Sequence, residues 1–408
     1  MKYFILLAIC FSMQSQNIQS KLDSIFKKNE MMGLSVYYFD KKTEGNYSFG
    51  YRNFEDKLPV TVDTRYRIAS ISKSFTALGI MKLVDQKKIN LDEDISTYLG
   101  YKVFNPNFPS DKITTRMLLS HTSSVLDGAG YDNFLSGTYN DATIPNVNSV
   151  LLPNGKYFTK DMFSEHKPGT YFTYCNLNYG LLGTLIEKVS GIRFDIFMKN
   201  EILKPLNIGG SFSIQDIADV ENVSALYRNK DGWKAQKDDY KGQKPKPSDL
   251  STYEIGSNGA YFGPQGGLRV TTAELGVFLK YLKSNGKTHP TIMSAKTIKL
   301  MKLSQWKFGG TNGDNFEGLF LNWGLGLHIA NTDKNDQISS IKGNFIGHAG
   351  DAYGLISDAY FSENENFGVV LVCNGILNGY QKGKSTSFYS FEEEIFEVLN
   401  VHLANKNK

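Results

Sequence analysis

Ser70 and Lys73 are the residues from which a chemistry can first be argued. Side chains three apart on a helix share one face and can touch. After them, Ala77, Leu78, Ile80, Met81, Leu83 and Val84 recur at mixed three- and four-residue spacings. That pattern predicts a buried helix with Ser70 and Lys73 as the polar exceptions at its start. The N–H groups of a helix's first turn lack intrahelical acceptors. A hydroxyl, an amine and an unpaired N–H would then meet at one spot. Together they are a nucleophile, a base and half of an oxyanion hole for acyl transfer. Serine is also a common helix cap, so Ser-x-x-Lys alone does not carry the reading.

Two further clusters stand downstream. Tyr174 and Asn176 lie two apart in an aromatic, glycine-flanked turn, before a helix that runs to Val189 and stops at Ser190-Gly191. His348-Ala349-Gly350 precedes a hairpin. Its strands, Leu355 to Phe361 and Phe367 to Cys373, are joined by Glu363-Asn364-Glu365-Asn366. Taken singly, each cluster is an ordinary turn. His121 ends a predicted helix from Ile113 to Ser124 and is read as a structural histidine bonded to nearby backbone. Gly256 to Gly267 holds five glycines before a predicted helix from Thr272 to Lys283. It lacks the Gly-Lys-Ser/Thr ending of a phosphate cradle.

The elements that must position these residues divide by region. Leu34 to Phe39 and Tyr47 to Tyr51 read as strands, and strands return at Trp323 to Ala330 and in the C-terminal hairpin. A last helix spans Phe388 to Leu403. The expected class is α/β (α+β): a central antiparallel sheet built from both ends of the chain, flanked by helices, with an all-helical lobe inserted. The α/β lobe would take residues 16–90 and 255–408, and the helical lobe 91–254, in one catalytic domain. Residues 127–167 read as a long rim loop and 226–253 as a long mobile surface loop.

Composition bounds the function. The chain has 408 residues, 41% hydrophobic and 21% charged, with a net charge of +4, which suits a large soluble domain. No basic block is interleaved with aromatics, so nucleic-acid binding has no support. Six histidines show no ligand spacing, and no metal or cofactor is expected. Cys10, Cys175 and Cys373 make no disulfide framework. Lys2, the apolar run Tyr3–Phe11 and the small residues after it read as a signal peptide over residues 1–15. The run is too short to span a bilayer, and a lipid anchor on Cys10 is disfavoured by the bulk of Ile9. A secreted or periplasmic protein is expected.

In order and spacing the three clusters resemble those of the serine β-lactamase and penicillin-binding-protein superfamily, nearest to its class C β-lactamase, D-aminopeptidase and esterase branch. Ser70-x-x-Lys73, Tyr174-x-Asn176 and His348-x-Gly350 match its three motifs. Supporting matches are Asp63-Thr64 through Ala69, Met117 to Ser123, Pro168-Gly169, Gly266-Gly267-Leu268 and Trp323-Gly324-Leu325-Gly326. The sequence departs from the pattern at three places. His348 replaces the usual Lys of the third motif, Ser124 a frequent Gly, and Asp351 a small residue. The resemblance implies Ser70 as nucleophile, Lys73 as base and Tyr174 in the proton relay. It places Asn176 on the substrate, His348 as a bridge between Tyr174 and the substrate, and the oxyanion between the N–H groups of Ser70 and, after Gly350, Asp351. A small-molecule or peptide substrate is implied, with no specific protein partner. Alternatives are a true β-lactamase or penicillin-binding carboxypeptidase, and a non-catalytic sensor or scaffold on the same fold.

Overall fold

The computed structural model describes residues 18–339, 343–378 and 380–406. The expected signal peptide and Cys10 lie outside them. Among the described residues nine strands form one antiparallel sheet: β1 (Gly33–Phe39), β2 (Glu44–Asn53), β3 (Leu58–Pro59), β4 (Trp306–Lys307), β5 (Asn322–Trp323), β6 (His328–Ala330), β7 (Phe345–Ala352), β8 (Leu355–Ser362) and β9 (Gly368–Cys373). Their order across the sheet is β3-β2-β1-β9-β8-β7-β6-β5-β4. The two ends of the chain therefore meet at the centre, where Leu34 pairs with Cys373 and Phe39 with Gly368. The expected class and the mixing of both termini in one sheet hold.

Side chains alternate across a strand, and here both faces are covered. Leu34, Val36 and Tyr38 of β1 join a core with Ile18 and Leu22 of α1 (residues 18–28), and with Phe391, Ile395 and Leu399 of α6 (Ser390–Lys406). Tyr37 and Phe39 point the other way, into a core with Leu275, Phe278 and Leu279 of α5 (Thr272–Lys283). Every residue of β1, β8 and β9 is buried, which is why these segments read as near-continuous apolar runs. Each fully buried aliphatic or aromatic side chain contributes about 1.5–3 kcal/mol.

Helix α2 (Ser72–Asp85) runs through the second core, with the Phe75 ring stacked on Phe278 at 4.0 Å. It packs against α4 (Asn176–Ser190). Helix α4 ends at Gly191 with φ 71°, a conformation open to glycine at no steric cost.

Several local expectations change. Trp323 to Ala330 is not one strand: Asn322–Trp323 and His328–Ala330 pair antiparallel across a turn. Ser70 does not open the long helix. It sits in a short 3-10 turn, Ala69–Ile71, and α2 begins at Ser72. Residues 127–167 are not one loop. They hold α3 (Ala129–Asn140), a short helix Asn148–Leu151 and a 3-10 turn Lys160–Met162. Asp161 caps α3 by accepting from Ala129 N at 2.8 Å, a long-range partner that local periodicity does not reveal. The inserted stretch is not all helix either. Leu226–Asn229 and Trp233–Lys237 form a hairpin turned by Asp231 and Gly232, both at positive φ. Only the polar segment 241–249 is exposed coil throughout, as expected.

Candidate active site

The nucleophile turn is held from both sides. Before it, Tyr66–Arg67 pairs with Arg269–Val270 in a two-stranded ribbon. Beside it runs β7. Among the described residues the His348–Ala352 half of β7 has β8 on one edge, while β6 pairs only with Phe345–Gly347. The Ser70 turn lies against this part of the strand. A Cβ at Gly350 would stand 3.1 Å from Ser70 N, 2.8 Å from Ile68 O and 2.5 Å from Ser357 Oγ. Glycine at 350 is thus what allows the strand to close on the nucleophile.

Lys73 is fully buried and uses all three of its protons. Its Nζ donates to Ser70 Oγ at 2.9 Å, to Asn176 Oδ1 at 2.8 Å and to the Gln265 carbonyl at 2.8 Å. Burial drives its pKa down to about 7, against the opposing pull of Asp127. A lysine so placed is a mixture of amine and ammonium near neutrality, and the amine has its lone pair within reach of the Ser70 proton.

Asn176 owes its orientation to Asp127. Its Nδ2 donates to Asp127 Oδ2 at 2.8 Å, which turns Oδ1 toward Lys73. The same carboxylate accepts from Asn176 N at 2.7 Å and Leu177 N at 2.8 Å, so it also caps α4. Sequence reading missed Asp127, because nothing local marks an aspartate 49 residues upstream as a cap. It also missed the Gln265 carbonyl. The glycines around it, set aside as a poor phosphate cradle, bring that backbone within reach of the nucleophile turn instead. A Cβ at Gly266 would lie 3.7 Å from the Ala69 backbone.

Tyr174 is half-buried, with its ring stacked on His121 at 4.4 Å and on Phe320 at 5.6 Å, and with Lys73 Nζ 4.9 Å from its centroid. Burial pushes its phenol far above the usual range, and the adjacent Ser70 hydroxyl offsets only part of that. Tyr174 is therefore a neutral donor. His121 matches its expected role: its Nδ1 accepts from Cys175 N at 3.1 Å, and the buried ring serves as a wall for Tyr174.

His348 departs from its expected role as a bridge from Tyr174 to the substrate. It is 1% exposed, and its ring lies 6.1 Å from Tyr174 and 5.2 Å from Trp323, edge-on to both. Its Nδ1 donates to the Ala349 carbonyl at 2.5 Å, leaving only a lone pair on Nε2. Burial, with Lys73 nearby, takes its pKa down to about 3. His348 is uncharged and is not a donor toward a ligand.

Two cavities meet at Ser70. A cleft of about 1090 Å³ is lined by polar residues including Asn176, Tyr131, Arg67 and Arg269. A smaller pocket of about 460 Å³ is lined mostly by apolar residues and also takes in Tyr174. Asp351 borders both, and its Oδ2 accepts from Tyr389 Oη at 3.1 Å. Among the described residues no group of three or more His, Cys, Asp or Glu could hold a metal ion.

A family model described as Beta-lactamase matches residues 18–380. The chain belongs to the beta-lactamase family. It is 30% identical over 194 residues to Protein flp of Staphylococcus aureus (strain MRSA252), covering 47% of this chain and 37% of that protein. It is 27% identical over 190 residues to Penicillin-binding protein 4* of Bacillus subtilis (strain 168), covering 47% and 40%. The match thus spans less than half the length of these relatives. Among solved structures, the octameric penicillin-binding protein homologue from Pyrococcus abyssi superposes with TM-score 0.69 at 25% identity, over 95% of this chain and 77% of that one. The D-amino acid amidase from Ochrobactrum anthropi SV3, complexed with L-phenylalanine amide, gives TM-score 0.66 at 20% identity over 97% and 99%, a likeness of fold. The antiparallel strand order, with helices packed on both faces, agrees with that family.

Proposed function

We propose that this protein is an exported serine hydrolase that works through an acyl-enzyme on ester or amide substrates, in the manner of an esterase or D-aminopeptidase. The observation that carries the reading is the contact of buried Lys73 with Ser70 Oγ at 2.9 Å, with burial lowering the lysine pKa to about 7. The amine form of Lys73 takes the Ser70 proton as Oγ bonds to the substrate carbonyl carbon. The oxyanion is received by the N–H groups of Ser70 and Asp351. Tyr174, a neutral phenol, protonates the departing amine or alkoxide and recovers its proton from the Lys73 ammonium. Water then attacks the acyl-serine carbon, loses its proton to the same pair, and Ser70 leaves as the hydroxyl.

A non-catalytic scaffold has no use for a lysine held near pKa 7 against a serine. A β-lactamase or carboxypeptidase engages a substrate carboxylate, and the third motif offers neutral His348 for it. The test is mass spectrometry after incubation with a fluorophosphonate. One adduct on the Ser70 peptide is expected, absent from a folded Ser70→Ala protein. An adduct on Ser70→Ala, or none on the parent, refutes the assignment. Among the described residues no helix is long and apolar enough to cross a membrane. Export rests on the N-terminal sequence, and a mature protein beginning near Gln16 is expected.

A further inference from the structure

We infer that the carboxyls of Asp358 and Glu392 form a proton-operated latch, which holds the first turn of α6 against β8 and with it one wall of the smaller pocket beside Ser70. The latch does not depend on the hydrolase proposed above. Phe388, Tyr389 and Glu392 line that pocket of about 460 Å³ together with Ser70. Tyr389 Oη also donates to Asp351 Oδ2, so the wall is tied to the end of β7.

The pair sits where the sheet meets the helix. Side chains alternate along β8, and Ile356 and Tyr360 join the core shared with α1 and α6, so Asp358 faces the same way. Glu392 lies in the first turn of α6. Asp358 is fully buried, Glu392 is 3% exposed, and their side chains hydrogen-bond to each other. Two ionised carboxyls only accept, so a proton must stand between them. No other donor reaches Asp358, while Glu392 Oε2 accepts from Tyr389 N at 2.7 Å.

Among the described residues no Lys, Arg or His pairs with either acid. The titratable groups around them are Asp351 of β7, Tyr360 of β8, Cys373 of β9 and Tyr389, each neutral or negative. Lys28 of α1 is spent on Glu394 at the surface. His328, whose Nδ1 hydrogen-bonds Tyr360 Oη at 2.9 Å, is kept uncharged by burial. Burial raises the pKa of both acids, and Asp358 pushes Glu392 higher still. Loss of the shared proton leaves two like charges face to face in a low dielectric with no cation between them. Further along α6, Ile395, Phe396 and Leu399 hold the helix by apolar packing that no proton affects. When the first turn lifts, both carboxyls reach water and ionise in the ordinary range near about 4. Above that range the closed form holds one proton more than the open form. Opening therefore grows about tenfold with each pH unit, until the closed pair gives up its own proton.

The competing explanation is an acid pair that only fills space between α6 and β8. Hydrogen exchange read residue by residue, corrected for the intrinsic rate, separates the two. The reporting amides are those of Tyr389, Ser390 and Glu393, which donate to Glu392 Oε2, the Gln381 carbonyl and the Tyr389 carbonyl. From pH 5 to pH 7 their protection in the parent is expected to fall about tenfold per pH unit, while the amides of Phe278 and Leu279 in α5 keep theirs. In the double variant Asp358→Asn with Glu392→Gln, which has no proton to lose, the slope should vanish. Asp358→Leu with Glu392→Met, an apolar pair of similar volume, serves should the first fail to fold, with the same expectation. Protection at Tyr389, Ser390 and Glu393 that is independent of pH in the parent overturns the latch. So does a slope that persists in either double variant. An equal slope in α5 also overturns it, since that is loss of the whole fold rather than release of one turn.

Discussion

Lys73 carries the pH dependence of the proposed reaction. Acylation needs its amine form, and burial sets its pKa to about 7. The logarithm of kcat/KM for an uncharged p-nitrophenyl ester should rise with unit slope below that value and level off above it. An ascending limb centred near pH 10 would mean that burial does not govern this lysine. Tyr174→Phe should lower kcat at least about a hundredfold, the scale of losing a positioned acid or base. Near-parental kcat removes the phenol from the relay. His348 bears on substrate choice. A neutral, non-donating imidazole gives a substrate carboxylate no charge-assisted bond, a contact worth roughly twice a neutral one. A short-chain p-nitrophenyl ester should therefore exceed a chromogenic cephalosporin in kcat/KM at pH 7.5, by about tenfold or more. A cephalosporin preference would make the protein a β-lactamase.

At the scale of elements, the site depends on where segments end. Helix α4 starts under Asp127, which no side chain of its own N-cap replaces. Asp127→Ala frees the Asn176 amide and leaves two helix N–H groups without their acceptor. A loss of about 1–2 kcal/mol in unfolding free energy is expected, the range for a helix cap. Activity should fall further than stability does, because Asn176 Oδ1 no longer points reliably at Lys73. Chemical denaturation and ester kinetics on the same preparation check both. Wild-type kcat with the stability loss intact would make Asp127 a cap and nothing more.

The ribbon ahead of Ser70 sets up a second dependence. Arg67 and Arg269 are direct cross-strand partners, an arrangement of like charges that is unfavourable by itself. Asp238 resolves it by accepting from both guanidinium forks, at 2.9 and 3.1 Å from Arg67 and 2.8 and 2.9 Å from Arg269. This carboxylate directly follows the hairpin Leu226–Lys237, part of the stretch expected from the sequence to be a mobile surface loop. The hairpin is thereby fastened to the strand that leads into the nucleophile turn.

For the whole molecule, that triad predicts a stability profile. Burial opposes the Asp238 charge, but Arg67 and then Arg269 outweigh it and hold the carboxyl well below its usual range. A depressed folded pKa means that the unfolded chain binds more protons at acid pH. The stabilisation is complete above the unfolded value near 3.9 and drains away as pH falls toward the lower folded value. Asp238→Asn should cost about 3–5 kcal/mol at pH 7, the scale for breaking a buried pair. The gap between parent and variant should narrow below about pH 4. Urea midpoints at pH 7 and pH 3 measure this, and a gap that is unchanged or wider at pH 3 would remove Asp238 from that role.

The parts of this protein legible from its residues are those set by local chemistry. Apolar runs at both ends specify strands, because a strand buried on two faces has no polar alternation to show. Ser70-x-x-Lys73, Tyr174-x-Asn176 and His348-x-Gly350 are visible because each is a short pattern whose members share one turn or strand. The resemblance they carry gave the fold before any coordinate did. What only the tertiary structure decided involves partners far apart in the chain. Asp127 orients Asn176, the Gln265 carbonyl receives Lys73, and Asp238 reconciles two arginines. His348 differs again. Its type was plain from the sequence, but its charge and its donor were decided by burial and by the Ala349 carbonyl. A side chain's identity is local, whereas its desolvation and its hydrogen-bond partners are set by whatever the fold brings against it.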